Sequence, residues 1–305
     1  MMSKAVVFNT YGDADVLRLI DVETPEPGPG QVRVRIRAAG VQPFDCMFRS
    51  GMIHQRTPAR FPQRLGNEFA GVIDAVGPGA AGFALADEVL GWAAQAAYAE
   101  HVVVGTDQIV AKPAGMPWEE AGVLSASGQT AATALAALEV GPQDTLLIHA
   151  AAGGVGSFAV QLARARGATV IGTASERNHD YLRSLGAVPV AYGDGLVERV
   201  RALAERGVDA ALIAAGSAEA LDASLALVAD PARIGRIAFH PAADRLGIRR
   251  ISAERSAAQL AALAQLYAAG GLRISIQRTY PLEQAAEAHR EVETGHTRGK
   301  IALVV

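Results

Sequence analysis

Cysteine is almost absent from this 305-residue chain: Cys46 stands alone. A single cysteine excludes an intrachain disulfide and any metal centre built from several thiolates. It suits a reducing compartment, so a cytoplasmic protein is expected. Long apolar runs are lacking too. None approaches the roughly 18 residues of a membrane-spanning helix, so no membrane partner is expected. The start, MMSKAVVFNTYGD, has no apolar signal-peptide core. Neither sign of charge dominates. Lys and Arg number 28 against 31 Asp and Glu, for a formal net charge of −3, and the basic residues are scattered. That argues against a nucleic-acid surface. What is present is apolar material, 50% of the chain, enough to bury a sizeable core. The length suits one large domain or two ordinary ones.

The first part reads mostly as short strands. In QVRVRIRA, Val32, Val34 and Ile36 alternate with Arg33, Arg35 and Arg37, the pattern of a half-buried strand with solvated arginines. Pro25, Pro27, Gly28, Pro29 and Gly30 mark a turn before it. Gly71–Val76, Glu88–Trp92 and Tyr98–Val104 are further strand candidates. From about Pro117 the pattern changes. WEEAGVLSASGQTAATALAAL reads as helix with an internal Ser-Gly break. Continuous apolar strands then alternate with helices: Thr145–Ala150, Ala168–Ala174, Val188–Tyr192, Val208–Ala214 and Arg236–His240. This is the signature of a doubly wound α/β domain with a parallel sheet. The tail from Ile274 reads strand, helix, strand, and could rejoin the first part.

Between the first two of these strands lies Ala151-Ala152-Gly153-Gly154-Val155-Gly156. Aligned with G-x-G-x-x-G, it has alanine at the first position and Gly153 and Gly156 at the others. Gly153 lets a pyrophosphate approach the backbone, and Gly156 lets helix and strand pack closely. The helix start offers free N–H groups and a positive dipole end. Alone such a motif is weak, and a plain crossover with packing glycines is the alternative; here the strand–turn–helix–strand context is present. The second strand ends without the acid that often binds an NAD ribose. It is followed by Ser175, Glu176 and Arg177. Ser175 can donate a hydrogen bond and Arg177 can pair with a 2′-phosphate, which favours NADP(H). Ser175 also fits a helix N-cap and Arg177 a surface charge; the roles are compatible.

AAGGVGSFAVQLARARGA, LGNEFAGVIDAVG, Arg49-Ser50-Gly51, GQTA at 128–131 and the terminal GHTRGKIALVV occur in one order and spacing. Together they resemble the quinone oxidoreductase branch of the medium-chain dehydrogenase/reductases, over nearly the whole chain. The resemblance implies a GroES-like β-rich catalytic domain at residues 1–120, completed by 272–305, and a Rossmann NADP-binding domain at 121–271. It also implies a homodimer. The alcohol dehydrogenase branch of that superfamily binds zinc. Its first ligand, a cysteine, is Gln42 here, its histidine is Asn67, and its third ligand falls at about Ala126. Amides are poor zinc ligands, so neither a catalytic nor a structural zinc is expected.

A metal-free site suits an easily reduced small-molecule hydride acceptor, a quinone or an alkene conjugated to a carbonyl. The charge that then lands on oxygen needs a hydrogen-bond donor. Gln42, where quinone reductases usually have Asn, is the first candidate; capping a strand end is its alternative. Asp45 is expected to orient the loop or a cofactor ribose, or to serve structure. The resemblance implies further cofactor contacts at Thr130, Ala152, Gly153, Gly154, Val155, Gly156 and Tyr192. It implies the same for Phe239 and His240, where backbone nears the carboxamide, and for Lys300, a basic family position. Each has a bland alternative: a helix hydroxyl for Thr130, a ring on the sheet edge for Tyr192, a solvated lysine for Lys300. Ile53 stands where many relatives have a tyrosine, so water is a candidate proton source. Cys46 could line the cleft, with a buried inert thiol as the commoner case; His54 reads as a surface residue and His149 as a local hydrogen-bonding group. An enoyl-thioester reductase of the same fold and a non-catalytic NADPH-binding protein are the competing readings.

Overall fold

A computed structural model describes residues 1–238 and 241–305; the expected cofactor contacts at Phe239 and His240 lie outside the described residues. The chain forms two compact units. One comprises Met1–Ala126, Ser256–Ala268 and Ile274–Val305, the other Ser127–Arg255 and Ala269–Arg273.

The first unit opens with β1 (Met2–Phe8), β2 (Arg18–Glu23), β3 (Gln31–Val41) and helix α1 (Pro43–Ser50). Strands β4 (Gln63–Arg64), β5 (Glu68–Val76), β6 (Glu88–Trp92), β7 (His101–Gly105) and β8 (Ile109–Ala111) follow. Then come α2 (Trp118–Ala121) and α3 (Leu124–Ala137), within which the second unit begins at Ser127. The α/β unit runs β9 (Thr145–His149), α4 (Gly154–Ala165), β10 (Thr169–Thr173), α5 (His179–Ser184), β11 (Val188–Val190) and α6 (Leu196–Leu203). It continues with β12 (Ala210–Ile213), α7 (Ala218–Leu227), β13 (Ile234–Arg236), α8 (Pro241–Arg245) and β14 (Arg249–Arg250). Helix α9 (Ala257–Ala268), β15 (Ile276–Pro281), α10 (Ala285–Glu293) and β16 (Lys300–Val304) return the chain to the first unit.

In the first unit, alternation along β3 buries Val32, Val34 and Ile36. Its other face is not simply solvated: the Arg33 guanidinium, half-buried, donates to Asp74 Oδ1 at 2.8 Å and to Glu26 Oε1 at 2.9 Å. The sheet order is β15-β16-β3-β5-β6-β8, with β7 also paired to β3. The tail is strand, helix, strand as the sequence suggests, and β16 lies antiparallel to β3 with Ile301 opposite Val41. Phe8, Phe48 and Phe69 anchor the core, Phe8 edge-on to Phe48 with ring centroids 5.8 Å apart.

The second unit's sheet runs β11-β10-β9-β12-β13-β14 with every pairing parallel. Counting from β9, that is the strand order of the Rossmann fold. Leu147, Ile171, Ala211 and Ile234 are fully covered, which explains the unbroken apolar strands. Of the last expected strand, Arg236–His240, residues 239 and 240 lie outside the described residues; the strand there is Ile234–Arg236.

The expected Ser-Gly break is also corrected. Helix α3 runs straight through Ser127 and Gly128, and the interruption falls at Gly122 and Val123. A Cβ on Gly122 would stand 2.7 Å from Ala38 O and 2.8 Å from Ala38 Cβ. The close passage against β3 decides where the helices part, and the mid-helix glycine, costing about 1 kcal/mol, is overridden.

Candidate functional site

The glycine turn is built by what its residues lack. Ala150, just past β9, takes a left-handed φ of +54°, which is strained for a residue with a Cβ. Its carbonyl accepts from Gly153 N at 3.0 Å and closes the turn. A Cβ on Gly156 would collide with that carbonyl and lie 2.7 Å from Ala151 Cα, so α4 packs on β9 only with glycine there. A Cβ on Gly153 would meet only Ala150 O, at 3.3 Å, so this face of the turn is open. Gly153 enters α4 with no side-chain cap. The backbone N–H groups of Gly154, Val155 and Gly156 therefore form an uncapped first turn. Ala152 is buried beside them and Val155 half-buried. A pyrophosphate fits this open, uncapped helix start.

Alanine at the first motif position has a physical reason. A Cβ on Gly172 of β10 would stand 2.7 Å from the Ala151 methyl. Glycine on the neighbouring strand makes the room that alanine fills. Ser175, half-buried, follows β10, and its Oγ accepts from Asn178 Nδ2 at 3.2 Å. Arg177 is exposed one turn further on. Thr130 is half-buried on α3, and Tyr192 is exposed two residues beyond β11. His149 bonds away from the turn: its Nε2 lies 3.1 Å from Ser224 Oγ on α7. Burial pushes its pKa down to about 4, so it is neutral at pH 7.

The first unit holds a second cluster, built from polar side chains removed from water. Gln42 takes an extended conformation before α1, and Pro43 fills the first helical position. Its backbone N–H donates to Asp45 Oδ2 at 2.9 Å, one arm of a capping box. Asp45 is wholly buried. It also accepts from Asn67 Nδ2 at 2.7 Å and Tyr98 OH at 3.1 Å. Burial raises the Asp45 pKa to about 6, against the pull of these donors and the Lys300 charge. Asp45 thus ties the Gln42 backbone to Asn67 and Tyr98.

Glu68, also wholly buried, is the centre of the cluster. Its Oε1 accepts from Gln42 Nε2 and, at 3.0 Å, from Lys300 Nζ. Its Oε2 accepts from Ala126 N at 2.6 Å. Lys300 is 3% exposed, so it is a buried ion-pair partner, not a solvated lysine. A Cβ on Gly40 would collide with Oε1 and stand 2.6 Å from Cδ of Glu68, so the carboxylate occupies space only glycine leaves. The bond to Glu68 orients the Gln42 amide with nitrogen toward the carboxylate, which can only accept. Cys46 is buried, its thiol pKa pushed up by burial. His54 is exposed and Ile53 packs partly into the core.

Sequence reasoning therefore brought out Gln42, Asp45 and Lys300 but missed Glu68, Tyr98 and His289. His289 Nε2 lies 3.3 Å from Tyr98 OH. A glutamate entering an apolar strand, in Glu68-Phe69-Ala70, was the available signal, because a buried acid needs partners.

A GroES-like β unit, with a parallel sheet of Rossmann order carrying a glycine turn, defines a two-domain nicotinamide-dependent oxidoreductase. Residues 28–139 match the family model of the alcohol dehydrogenase GroES-like domain, and residues 185–303 that of the zinc-binding dehydrogenases. A quinone oxidoreductase of Pseudomonas aeruginosa is 31% identical over 336 residues, covering 99% of this chain and 100% of its own. The structure of the quinone oxidoreductase from Coxiella burnetii matches with a TM-score of 0.90 at 32% identity, over 100% of both chains. An NAD-dependent alcohol dehydrogenase structure matches with a TM-score of 0.90 at 30% identity, over 99% of each chain. The chain belongs to the quinone oxidoreductase branch of the medium-chain dehydrogenase/reductase superfamily.

The zinc in one family description can be tested against the residues. The Gln42 and Asn67 amides are each committed to a carboxylate, and Glu68 already holds an ammonium. This donor set does not fit zinc. Among the described residues no group of three or more His, Cys, Asp or Glu could hold a metal ion.

Proposed function

We propose that the chain is an NADPH-dependent, zinc-independent reductase of quinones or α,β-unsaturated carbonyls. The observation that carries this reading is the Gln42–Glu68–Lys300 cluster, in which an amide stands where the zinc branch has its first metal ligand and an ammonium is paired to the carboxylate that binds that amide. Without a Lewis acid an unactivated alcohol is a poor partner, whereas quinones and enones accept hydride readily. The cofactor, when bound, supplies hydride from C4 of its nicotinamide. The N–H groups of Gly154, Val155 and Gly156 would hold the pyrophosphate. Ser175 and Arg177 would hold the 2′-phosphate, Arg177 as an exposed guanidinium. Gln42 donates one amide N–H to Glu68 and keeps the second for the acceptor's oxygen as negative charge collects there. Asp45 fixes the Gln42 backbone from beneath.

The test is steady-state kinetics with NADPH and NADH on quinones, enones and enoyl thioesters, before and after chelation. We expect kcat/KM with NADPH to exceed that with NADH by roughly tenfold or more, and Arg177→Ala to remove most of that margin. Turnover of quinones or enones should survive the chelator. A higher kcat/KM with NADH would overturn the cofactor assignment. About one zinc per chain, lost together with activity, would overturn zinc independence. Turnover of enoyl thioesters alone would move the reading to that reductase class, and NADPH binding without turnover to a non-catalytic role.

A further inference from the structure

The three positions that match zinc ligands in the alcohol dehydrogenase branch are Gln42, Asn67 and Ala126. Two of them, through the Gln42 amide and the Ala126 backbone N–H, converge on the Glu68 carboxylate. Lys300 Nζ completes the set at 3.0 Å. Glu68 thereby joins the starts of three elements. Gln42 precedes α1, Ala126 lies in the first turn of α3, and Lys300 opens β16. The carboxylate is the acceptor for an N–H in the first turn of α3. Gly40 clears its space, and neither member of the ion pair is exposed beyond 3%.

We propose that the Lys300–Glu68 pair is the positioning device of this site: a fixed internal cation and anion that do the orienting work a bound metal would do. The proposal rests on the reductase reading for its activity arm. Lys300 balances Glu68, and Glu68 fixes which end of the Gln42 amide turns outward and where the first turn of α3 lies. Without Glu68, the Gln42 amide loses its anchor and the Ala126 N–H loses its 2.6 Å bond to the carboxylate. Without Lys300, Glu68 is left with two dipolar donors and no countercharge. Neither residue is assigned contact with the reacting atoms, so both act through Gln42 and α3.

The experiment compares the wild-type chain with Glu68→Gln, Glu68→Ala, Lys300→Met and the Glu68→Gln/Lys300→Met double variant. Melting temperature, kcat, KM and amide exchange at Ala126 are read in each. Each single variant should melt lower, because one charge is buried without its partner. The double variant should recover much of that loss, because removing both charges is far less damaging than removing one. Its kcat for quinone or enone should nevertheless stay roughly tenfold or more below wild type, with a smaller change in KM. Recovery of kcat in step with melting temperature would show a merely structural pair and overturn the proposal. Amide exchange at Ala126 needs no turnover. It should quicken on the order of tenfold or more in Glu68→Ala, and also quicken in Lys300→Met. Unchanged exchange in both would overturn the positioning role even in an active enzyme. A wild-type chain that turns over no acceptor, with exchange responding as expected, would leave the pair's role standing and remove only the reductase reading.

Discussion

The glycine turn and the Glu68 cluster are built on opposite plans. The turn works by omission: no Cβ at Gly153 or Gly156, no side-chain cap on α4, and a neighbouring Gly172 that admits Ala151. The cluster works by saturation: two buried carboxylates receive backbone N–H groups, amides, a phenol and an ammonium. One plan presents unsatisfied donors to a ligand. The other leaves few donors over and so sets the direction of the ones that remain. The first should therefore fail through backbone collision, the second through orphaned polar groups.

The largest expected effect separates two glycines of the turn. Gly156→Val pushes side-chain atoms into the Ala150 carbonyl and the Ala151 backbone, which cannot swing aside as a side chain can. We expect loss of cooperative thermal unfolding, or NADPH binding weakened by at least roughly a hundredfold. Gly153→Ala meets one atom at 3.3 Å and should fold with a melting temperature near wild type. Its methyl nevertheless stands on the open face where the proposed cofactor's pyrophosphate would approach, so fluorescence titration should show weaker NADPH binding. Wild-type affinity in a folded Gly153→Ala chain would remove the turn from the cofactor site.

The same contrast explains what could be read from the sequence. The turn is local: strand, glycines, helix and second strand lie within one short stretch, and period and punctuation reveal them. The parallel sheet followed from the apolar runs for the same reason. The cluster is assembled across the chain. Glu68 meets Ala126 58 residues away and Lys300 232 residues away. No spacing rule reports such contacts. Resemblance supplied Gln42 and Lys300 as positions, but not that the first would be bonded through its nitrogen or the second buried. The misplaced helix break has the same origin, since Gly122 is dictated by the backbone of Ala38 on a distant strand.

A smaller, still substantial effect is expected inside the cluster. Asp45→Ala removes the carboxylate that the Gln42 N–H, the Asn67 amide and the Tyr98 hydroxyl all donate to in a dry environment. Urea unfolding should show a loss of roughly 3–5 kcal/mol. Asp45→Asn keeps one acceptor oxygen and should lose less. A loss below about 1 kcal/mol for alanine would mean that the cluster tolerates vacancies, contrary to the saturation argument.

The smallest expected effect is a pH dependence that the two units carry unequally. In the second unit, the His149 pKa is depressed from 6.5 to about 4 by burial. Below pH 6.5 the unfolded chain binds a proton there that the folded chain refuses, so stability falls as pH drops from 6.5 towards 4. In the first unit, His289 is depressed to about 3 by burial and the Arg49 charge, and acts in the same direction. Asp45 opposes it: with its pKa raised from 3.8 to about 6, its favourable contribution is present at low pH and lost as pH rises between those values. Between pH 4 and 6, His289 and Asp45 therefore largely cancel, and His149 sets the net slope at up to about 1.4 kcal/mol per pH unit. His149→Gln keeps a hydrogen-bonding partner for Ser224 and removes the titration. Urea midpoints measured from pH 6.5 to 4.5 should fall clearly for the wild type and far less for this variant. An equal fall in both would undo the assignment to His149.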